Sequence, residues 1–356
     1  PRSVLYFTAA APALHRHRFP SAAAQTPEPS RPMPAPLAAS WRRHASAAAS
    51  SSTPRTLLLL VPVLILLVFV LSRAPDLTFS PATAASPRLP ARLRPFDCYA
   101  SPQASPVLAS LVEGVPRPFL YSLADLGPLP DRPHRNIARL LKGKRFRKPD
   151  ISQTIQELLA GEVGRGSGGG VVVDVGANVG MAAFAAAVMG FRVVAFEPVF
   201  ENLQRICDGV YLNRVQDQVV VYHAAASDRA GNITMHKVIG RLDNSAISAT
   251  GAKLAFKSNE EVAVEVATIP LDEVIPDAER VVLIKIDVQG WESHVLRGAS
   301  KLLSRRRGEA PYLIYEEDER LLQASNSSAQ EMRAFLGSVG YNQCTRHGTD
   351  AHCTKE

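Results

Sequence analysis

The amino-acid sequence predicts an α/β protein built on a doubly wound, Rossmann-like, mostly parallel sheet. Two observations predict this class. Short apolar runs, several rich in β-branched residues, recur between residues 171 and 315, and uninterrupted runs of this kind are typical of buried parallel strands. Segments of helical character separate the runs, and such strand–helix alternation places helices on both faces of one sheet.

The central element of the predicted sheet is the stretch VVVDVGANVG, residues Val171–Gly180. Three valines lead into Asp174, a glycine turn follows, and an alanine-rich helix begins at Met181. The free N–H groups of a helix N-terminus point towards such a turn. We therefore expect the turn to contact a cofactor, through Asp174, Gly176, Ala177, Asn178 and Gly180.

The spacing of the turn distinguishes between two cofactor classes. A dinucleotide-binding turn has the pattern G-x-G-x-x-G, whose middle glycine admits the pyrophosphate. Ala177 and Asn178 stand here without that glycine, and an acid closes the strand instead. The next strand, 191–196, ends in Glu197, which could bind two ribose hydroxyls. Two strand-end acids suit S-adenosylmethionine, which has a ribose and a cationic amino group.

Three further strands are predicted at 219–222, 281–287 and 312–315; Asp228 stands six residues after the first, Asp287 ends the second and Glu316 follows the third. Because ligands bind at the carboxyl ends of such strands, we expect one rim of acids in the sheet. Its members are Asp174, Glu197, Asp228, Asp287 and Glu316. Asp228 either meets the adenine edge or caps a turn. Strands at 232–238 and 261–267 flank a polar loop, an insertion that could supply substrate contacts.

Five segments together resemble the FkbM family of S-adenosylmethionine-dependent methyltransferases. They are VVVDVGANVG, AFEPVFENL, HAAASDRAGN, TIPLDEVI and LIKIDVQGWESHVLRGA, and the resemblance covers residues 165–342. It implies O-methylation and a class I methyltransferase sheet whose last strand is antiparallel. The family usually has Glu where Gln289 stands, so an acid at that position cannot be catalytic here.

Methyl transfer to a hydroxyl needs a group that accepts the hydroxyl proton. Asp287 is the first candidate base, and Glu292 is a second acid of the same motif. Lys285 either polarises the hydroxyl or forms an ion pair, with Asp287 or Glu316 as its partner. Other possible bases are His223, His236 and His294. The sequence has no metal-ligand spacing, so no metal is expected.

The N-terminal part of the chain has a different composition from the rest. Residues 1–149 contain 20 Lys/Arg and 6 Asp/Glu, so the basic charge lies outside the predicted domain and does not indicate nucleic-acid binding. We expect a disordered basic tail at 1–55, an uncharged transmembrane anchor at 56–72, a Pro-rich stem at 73–95, a helical extension at 96–164 and the methyltransferase domain at 165–356. Short helices are expected at 105–112 and 136–141, and a further helix at 151–160, between a candidate N-cap at Asp150 and a stop at Gly161.

The charges that flank the apolar segment favour a type II Golgi enzyme with a lumenal domain. Localisation to a plastid is the alternative, because residues 1–55 are rich in Arg and Ser and poor in acids. In the Golgi the acceptor would be a sugar hydroxyl of a glycan. A small metabolite as acceptor and a degenerate fold that only binds a partner are the other interpretations. Cys344 and Cys353 are expected to pair, and Cys207 is expected to be a buried thiol.

Overall fold

The computed structural model describes residues 93–127, 151–164, 169–255 and 260–355, together with positions 131, 132, 138 and 142. The predicted tail and anchor, nearly all of the stem and most of the predicted helix at 136–141 lie outside these residues. Within the described ranges, no helix combines the length and the apolar character needed to cross a bilayer.

Within the described residues the main sheet contains seven strands. They are β3 Val171–Val175, β4 Arg192–Phe196, β5 Val219–Tyr222, β9 Val281–Ile286, β10 Tyr312–Glu316, β11 Gln343–His347 and β12 Asp350–Thr354. Their order across the sheet is β11-β12-β10-β9-β3-β4-β5. The five strands from β10 to β5 are parallel, whereas β12 runs antiparallel to both β10 and β11. The predicted α/β class, the parallel core and the antiparallel terminal strand are confirmed.

Nine helices lie within the described residues, and most of them follow the parallel strands on the two faces of the sheet. They are α1 Ile151–Gly164, α2 Met181–Ala187, α3 Phe200–Asn213, α4 Ala249–Ala255, α5 Leu271–Val274, α6 Glu292–Gly298, α7 Ser300–Leu303, α8 Glu319–Ala324 and α9 Ala329–Ser338. The strand β3 shows why both faces are covered. Val172 packs into one hydrophobic cluster and Val173 into the other, because successive side chains of a strand point to opposite faces. Both residues are fully buried.

The N-terminal extension differs from its prediction. The expected helix at 105–112 is wrong, because Ala109–Val112 forms a strand, β1, that pairs antiparallel with β2, Phe119–Ser122. The apolar run of β1 is too short to separate strand from helix by periodicity, and its partner strand decides. Phe119 and Tyr121 of β2 are buried in the same cluster as Phe184 of α2. Of the predicted helices of the extension, that at 151–160 is confirmed as α1.

The insertion forms a small sheet of its own. Its strands are β6 Ala225–Ala226, β7 Gly231–Val238 and β8 Glu261–Ile269, in the order β6-β8-β7. The predicted strands at 232–238 and 261–267 are therefore confirmed. Between β7 and β8, a 3-10 turn at Leu242–Asn244 precedes α4.

Four cysteines form two disulfides. Cys344 and Cys353, which are directly opposite on β11 and β12, are paired as predicted. The prediction of a buried thiol at Cys207 is wrong. Cys207, in α3, forms a disulfide with Cys98, which lies 109 residues earlier in the sequence. The N-terminal extension is thus covalently attached to α3, the helix that follows β4 of the main sheet.

Candidate functional site

The main cavity lies at the carboxyl ends of β3, β4 and β9 and encloses about 600 Å³, counting its open mouth. The glycine turn, the segment after β4 and the turn after β9 form its floor and sides, and the insertion forms the remaining wall. The charged residues that line it are Glu197, Asp243 and Asp287.

The glycine turn is shaped by close backbone packing. Gly176 has a φ of 73°, and a Cβ there would lie 1.9 Å from the carbonyl oxygen of Asp287. Gly180 has a φ of 87°, and its Cβ would meet the ring of Phe184 at 2.5 Å. Both positions therefore require glycine. Of the five predicted contacts in this turn, Gly176 and Asn178 line the cavity, whereas Asp174, Ala177 and Gly180 do not.

Asp174 lies beneath the cavity and is fully buried. Its Oδ1 is 3.2 Å from Lys285 Nζ, and its Oδ2 accepts a hydrogen bond from the backbone N–H of Ala183 at the start of α2. The parallel register of β3 and β9 places Asp174 directly beside Lys285. Asp174 is thus the partner of the buried lysine, which corrects the expectation that Asp287 or Glu316 would pair with it.

Lys285 is held by groups of β3 and of the glycine turn that follows it. Its Nζ also donates to the carbonyl oxygen of Gly176 at 2.7 Å. Burial alone would lower the pKa of Lys285, but Asp174 and, after it, Asp287 raise the pKa above its ordinary value. The ammonium group therefore stays charged at neutral pH and ties the glycine turn to β9. It does not line the cavity.

Glu197, at the end of β4, lines the cavity and organises its polar edge. Its Oε2 accepts from the backbone N–H of Asn178 at 2.7 Å, and its Oε1 accepts from Val199 N at 3.0 Å and Asn202 Nδ2 at 3.2 Å. Burial raises the pKa of Glu197 to about 7, although these hydrogen bonds oppose the rise. The carboxyl group therefore joins the glycine turn to the segment after β4.

A group of polar side chains surrounds Asp287 at the end of β9. Gln289 donates from its Nε2 to Asp287 Oδ1 at 2.9 Å and to Glu316 Oε2 at 3.1 Å. The turn places Gln289 in the left-handed region with a φ of 54°. Burial, together with the charge of Asp287, raises the pKa of Glu316 to about 9. Glu316 consequently holds a proton at neutral pH, and Asp287 is exposed at the cavity wall.

Two other predicted site residues lie outside the cavity lining. Glu292 is 1% exposed and its Oε1 accepts from the backbone N–H groups of Val288 and Gly290, so it holds the turn after β9 in shape. A direct catalytic contact by Glu292 does not fit this burial, because its carboxylate faces the backbone. Asp228 accepts a hydrogen bond from the neighbouring Ser227 and is half-buried.

Sequence reasoning missed several residues that surround the cavity. Trp291 lines it, and its ring stacks on His294 with centroids 3.6 Å apart and an interplanar angle of 4°. The indole N–H donates to Ser227 Oγ at 3.1 Å. The sequence did indicate that Trp291 could lie at the site, because this residue directly follows the turn after β9. Met235 and Leu242 of the insertion also line the cavity.

The other histidines are engaged in structural contacts. His236 pairs with Glu261, at 2.5 Å between Nδ1 and Oε1, across the insertion sheet. His223 is exposed and lies at the edge of two aromatic rings, those of Phe96 and Phe200. Within the part of the chain that the structure describes, no group of His, Cys, Asp and Glu could hold a metal ion.

Comparisons with solved structures found several methyltransferases. A ribosomal protein methylase of Lactobacillus delbrueckii subsp. bulgaricus is 13% identical, with 57% of this chain and 79% of that chain covered and a TM-score of 0.30. A 16S rRNA methyltransferase (RsmC) of T. Thermophilus, in complex with AdoMet and guanosine, is 14% identical, with 72% and 52% covered and a TM-score of 0.37. A precorrin-6y methyltransferase of Geobacter metallireducens GS-15 is 12% identical, with 59% and 90% covered and a TM-score of 0.33.

The comparison with curated proteins found no match to this chain. The scan of family models matched residues 174–343, which extend from the buried acid of β3 to the start of β11. This span contains the glycine turn, Glu197, the insertion and the polar group around Asp287. It is a match to the model described as the methyltransferase FkbM domain, so residues 174–343 are similar to that family of methyltransferase domains.

Proposed function

We propose that this chain transfers the methyl group of S-adenosylmethionine to a hydroxyl oxygen. The observation that carries the proposal is the charge of the cavity. Three carboxylates and no cationic side chain stand among the described residues that line it. S-adenosylmethionine has two cationic groups, a sulfonium and an ammonium. A negatively charged lining attracts both.

The lining also fits the other parts of the donor. Glu197 and Asn178 form a polar edge at the ends of β4 and β3, which suits the ribose hydroxyls. Ala224, Ala225 and Trp291 supply apolar surface, which suits the adenine.

Asp287 is the group that accepts the hydroxyl proton in this proposal. Gln289 occupies its Oδ1, and its Oδ2 accepts no hydrogen bond from the described residues, so that oxygen can face an acceptor. The acceptor oxygen forms a bond to the methyl carbon, the carbon–sulfur bond breaks with its electron pair on sulfur, and the proton passes to Asp287. General-base assistance of this kind contributes about 10²–10⁴-fold to a rate.

The surroundings of Asp287 favour an uncharged acceptor. Glu316 and Asp350 lie close enough that Asp287 raises the pKa of each, after the larger effect of burial. A phosphate would be repelled by the carboxylate of Asp287 itself, which argues against nucleic acid as the acceptor. Sugar hydroxyls are neutral, and carboxylates are good hydrogen-bond acceptors for them.

The proposed setting is the lumen of the Golgi or another secretory membrane, with the chain anchored by the apolar segment 56–72. Two disulfides involving all four cysteines support an oxidising compartment. The acceptor would then be a hydroxyl of a glycan. A plastid membrane remains the alternative address.

The test is a transfer assay with methyl-labelled S-adenosylmethionine and the full chain. Acceptor pools would be neutral polysaccharides and glycoproteins, small alcohols and phenols, and total RNA, with S-adenosylhomocysteine as the competing product. We expect label in the first pool as an alkali-stable ether. Label in the small-molecule pool alone would favour a metabolite acceptor, and absence of donor binding would favour the degenerate fold.

A further inference from the structure

The 3-10 turn Leu242–Asn244 of the insertion is attached at both ends to residues far away in sequence. Leu242 and Asp243 of this turn line the cavity. We propose that Asp125, which precedes the family match by 49 residues, is a positioning residue that holds this turn against the donor. The N-terminal extension would then be part of the binding site, and this inference rests on the proposed function.

The contact between Asp125 and the turn is direct. Asp125 Oδ2 accepts a hydrogen bond from the backbone N–H of Leu242 at 2.9 Å. Asp125 adopts a φ of 51°, a left-handed conformation that Asp and Asn tolerate better than most residues. Its charge also acts on two arginines: burial lowers the pKa of Arg205 and Asp125 opposes this, whereas the pKa of Arg241 is raised by Asp243 and, more weakly, by Asp125.

Asp125 has a rigid base from which to hold the turn. Leu123 and Leu126 on either side of it are buried in the main hydrophobic cluster. Just before them, Ser122 Oγ donates to Asp208 Oδ2 of α3 at 2.7 Å. The Cys98–Cys207 disulfide fixes the same extension to the same helix. The position of Asp125 is therefore set by the core.

The other end of the turn is attached to the group around Asp287. Asn244 Nδ2 donates to Gln289 Oε1 at 3.3 Å, and the same Gln289 side chain binds Asp287 and Glu316. Within the turn, Arg241 pairs with Asp243, with Nε 2.9 Å from Oδ1. The turn thus bridges the extension and the turn after β9 across the cavity.

Loss of the Asp125 anchor has a local consequence. The N–H of Leu242 would lose its acceptor, whereas the hydrogen bond of Asn244 to Gln289 would remain. Asp125 itself does not line the cavity, so its removal takes away no direct contact with a donor. Any change in donor affinity would therefore be caused by a shift in the positions of Leu242 and Asp243.

Three variants of the full chain test the proposal by calorimetric titration with S-adenosylmethionine. Asp125→Gly removes the carboxylate and relaxes the backbone, because glycine accepts a positive φ. Asp125→Asn keeps a side-chain oxygen and tolerates the same conformation. Glu113→Ala is the matched control, because it removes an exposed carboxylate between β1 and β2.

We expect Asp125→Gly to raise the donor Kd about fivefold or more, which is the lower range of typical coupling between sites. Asp125→Asn should restore affinity to within about twofold of wild type. Glu113→Ala should not change it. Melting curves on the same samples establish that each variant is folded.

Two results would overturn the role of Asp125. One is a folded Asp125→Gly variant that binds the donor as wild type does. The other is a variant without a cooperative melt, which would make Asp125 a stability residue of the extension. Failure of the wild-type chain to bind the donor is a separate outcome, since it contradicts the proposed function itself.

Discussion

Replacing Lys285 with methionine should unfold the domain more readily without removing a cavity contact. The Lys285 ammonium group lies 3.2 Å from Asp174 Oδ1, and Asp174 is completely buried. Removing one partner of a buried ion pair leaves an uncompensated charge and costs about 3–5 kcal/mol of unfolding free energy. In a domain of this size that corresponds to a fall in Tm of roughly 6–20 °C.

The assay is thermal and urea denaturation of the full chain, with turnover measured on the same preparation. Lys301→Met is the matched control, because Lys301 is exposed on the surface. A double variant, Lys285→Met with Asp174→Asn, should recover part of the lost stability, because it leaves no buried charge unpaired. That recovery distinguishes the ion pair from a simple packing effect.

The opposite result would refute this reasoning. If the unfolding free energy of the Lys285→Met variant lies within about 1 kcal/mol of wild type and the variant has lost methyl transfer, the lysine takes part in the chemistry. It would then polarise the hydroxyl, which the sequence left open as an alternative.

Three other perturbations have defined outcomes. Glu197→Ala should weaken binding of S-adenosylmethionine at least about tenfold by calorimetry, because a charge-assisted hydrogen bond contributes roughly 1.5–3 kcal/mol; unchanged affinity would refute the ribose contact. Glu316→Gln should make the protein relatively more stable than wild type as pH rises from about 5 to 9. Wild-type Glu316, with its folded pKa raised to about 9, contributes stability that is complete below its ordinary pKa and is lost across this window; parallel pH profiles of Tm for the two proteins would contradict the raised pKa. A Cys98→Ser, Cys207→Ser variant should lose about 2–5 kcal/mol of stability, and peptide mapping that finds these thiols free in wild type would contradict the disulfide.

The parallel core and the location of the site could be predicted from the sequence because they depend on local pattern. Continuous apolar runs identify strands buried on both faces, and parallel strands align their carboxyl ends. Glu197 and Asp287 could be placed at the cavity on these grounds alone. The antiparallel terminal strand came from the family resemblance and not from the pattern.

The partners of individual side chains could not be predicted, since they depend on register and on contacts distant in sequence. The pairing of Lys285 with Asp174 follows from how β3 and β9 align, and neither segment encodes that alignment by itself. The same holds for the Cys98–Cys207 bond. The hairpin at β1 and β2 was misread because four-residue strands carry too little periodicity to identify them.

Turn geometry accounts for the remaining differences. Glu292 stands in a motif that suggests chemistry, but its carboxylate binds the backbone of its own turn. Gln289 was considered only as a missing acid. The left-handed conformation of that turn gives its amide a place between Asp287 and Glu316, which a carboxylate could not fill without repulsion.

The central claim is that Asp287 accepts the hydroxyl proton while S-adenosylmethionine occupies the cavity beside it. The most direct measurement compares wild type with Asp287→Asn for donor Kd, Tm and turnover, with the acceptor pool that takes up label. We predict a donor Kd and a Tm close to wild type and a turnover lower by about two to four orders of magnitude. A stable variant with wild-type turnover would contradict the claim.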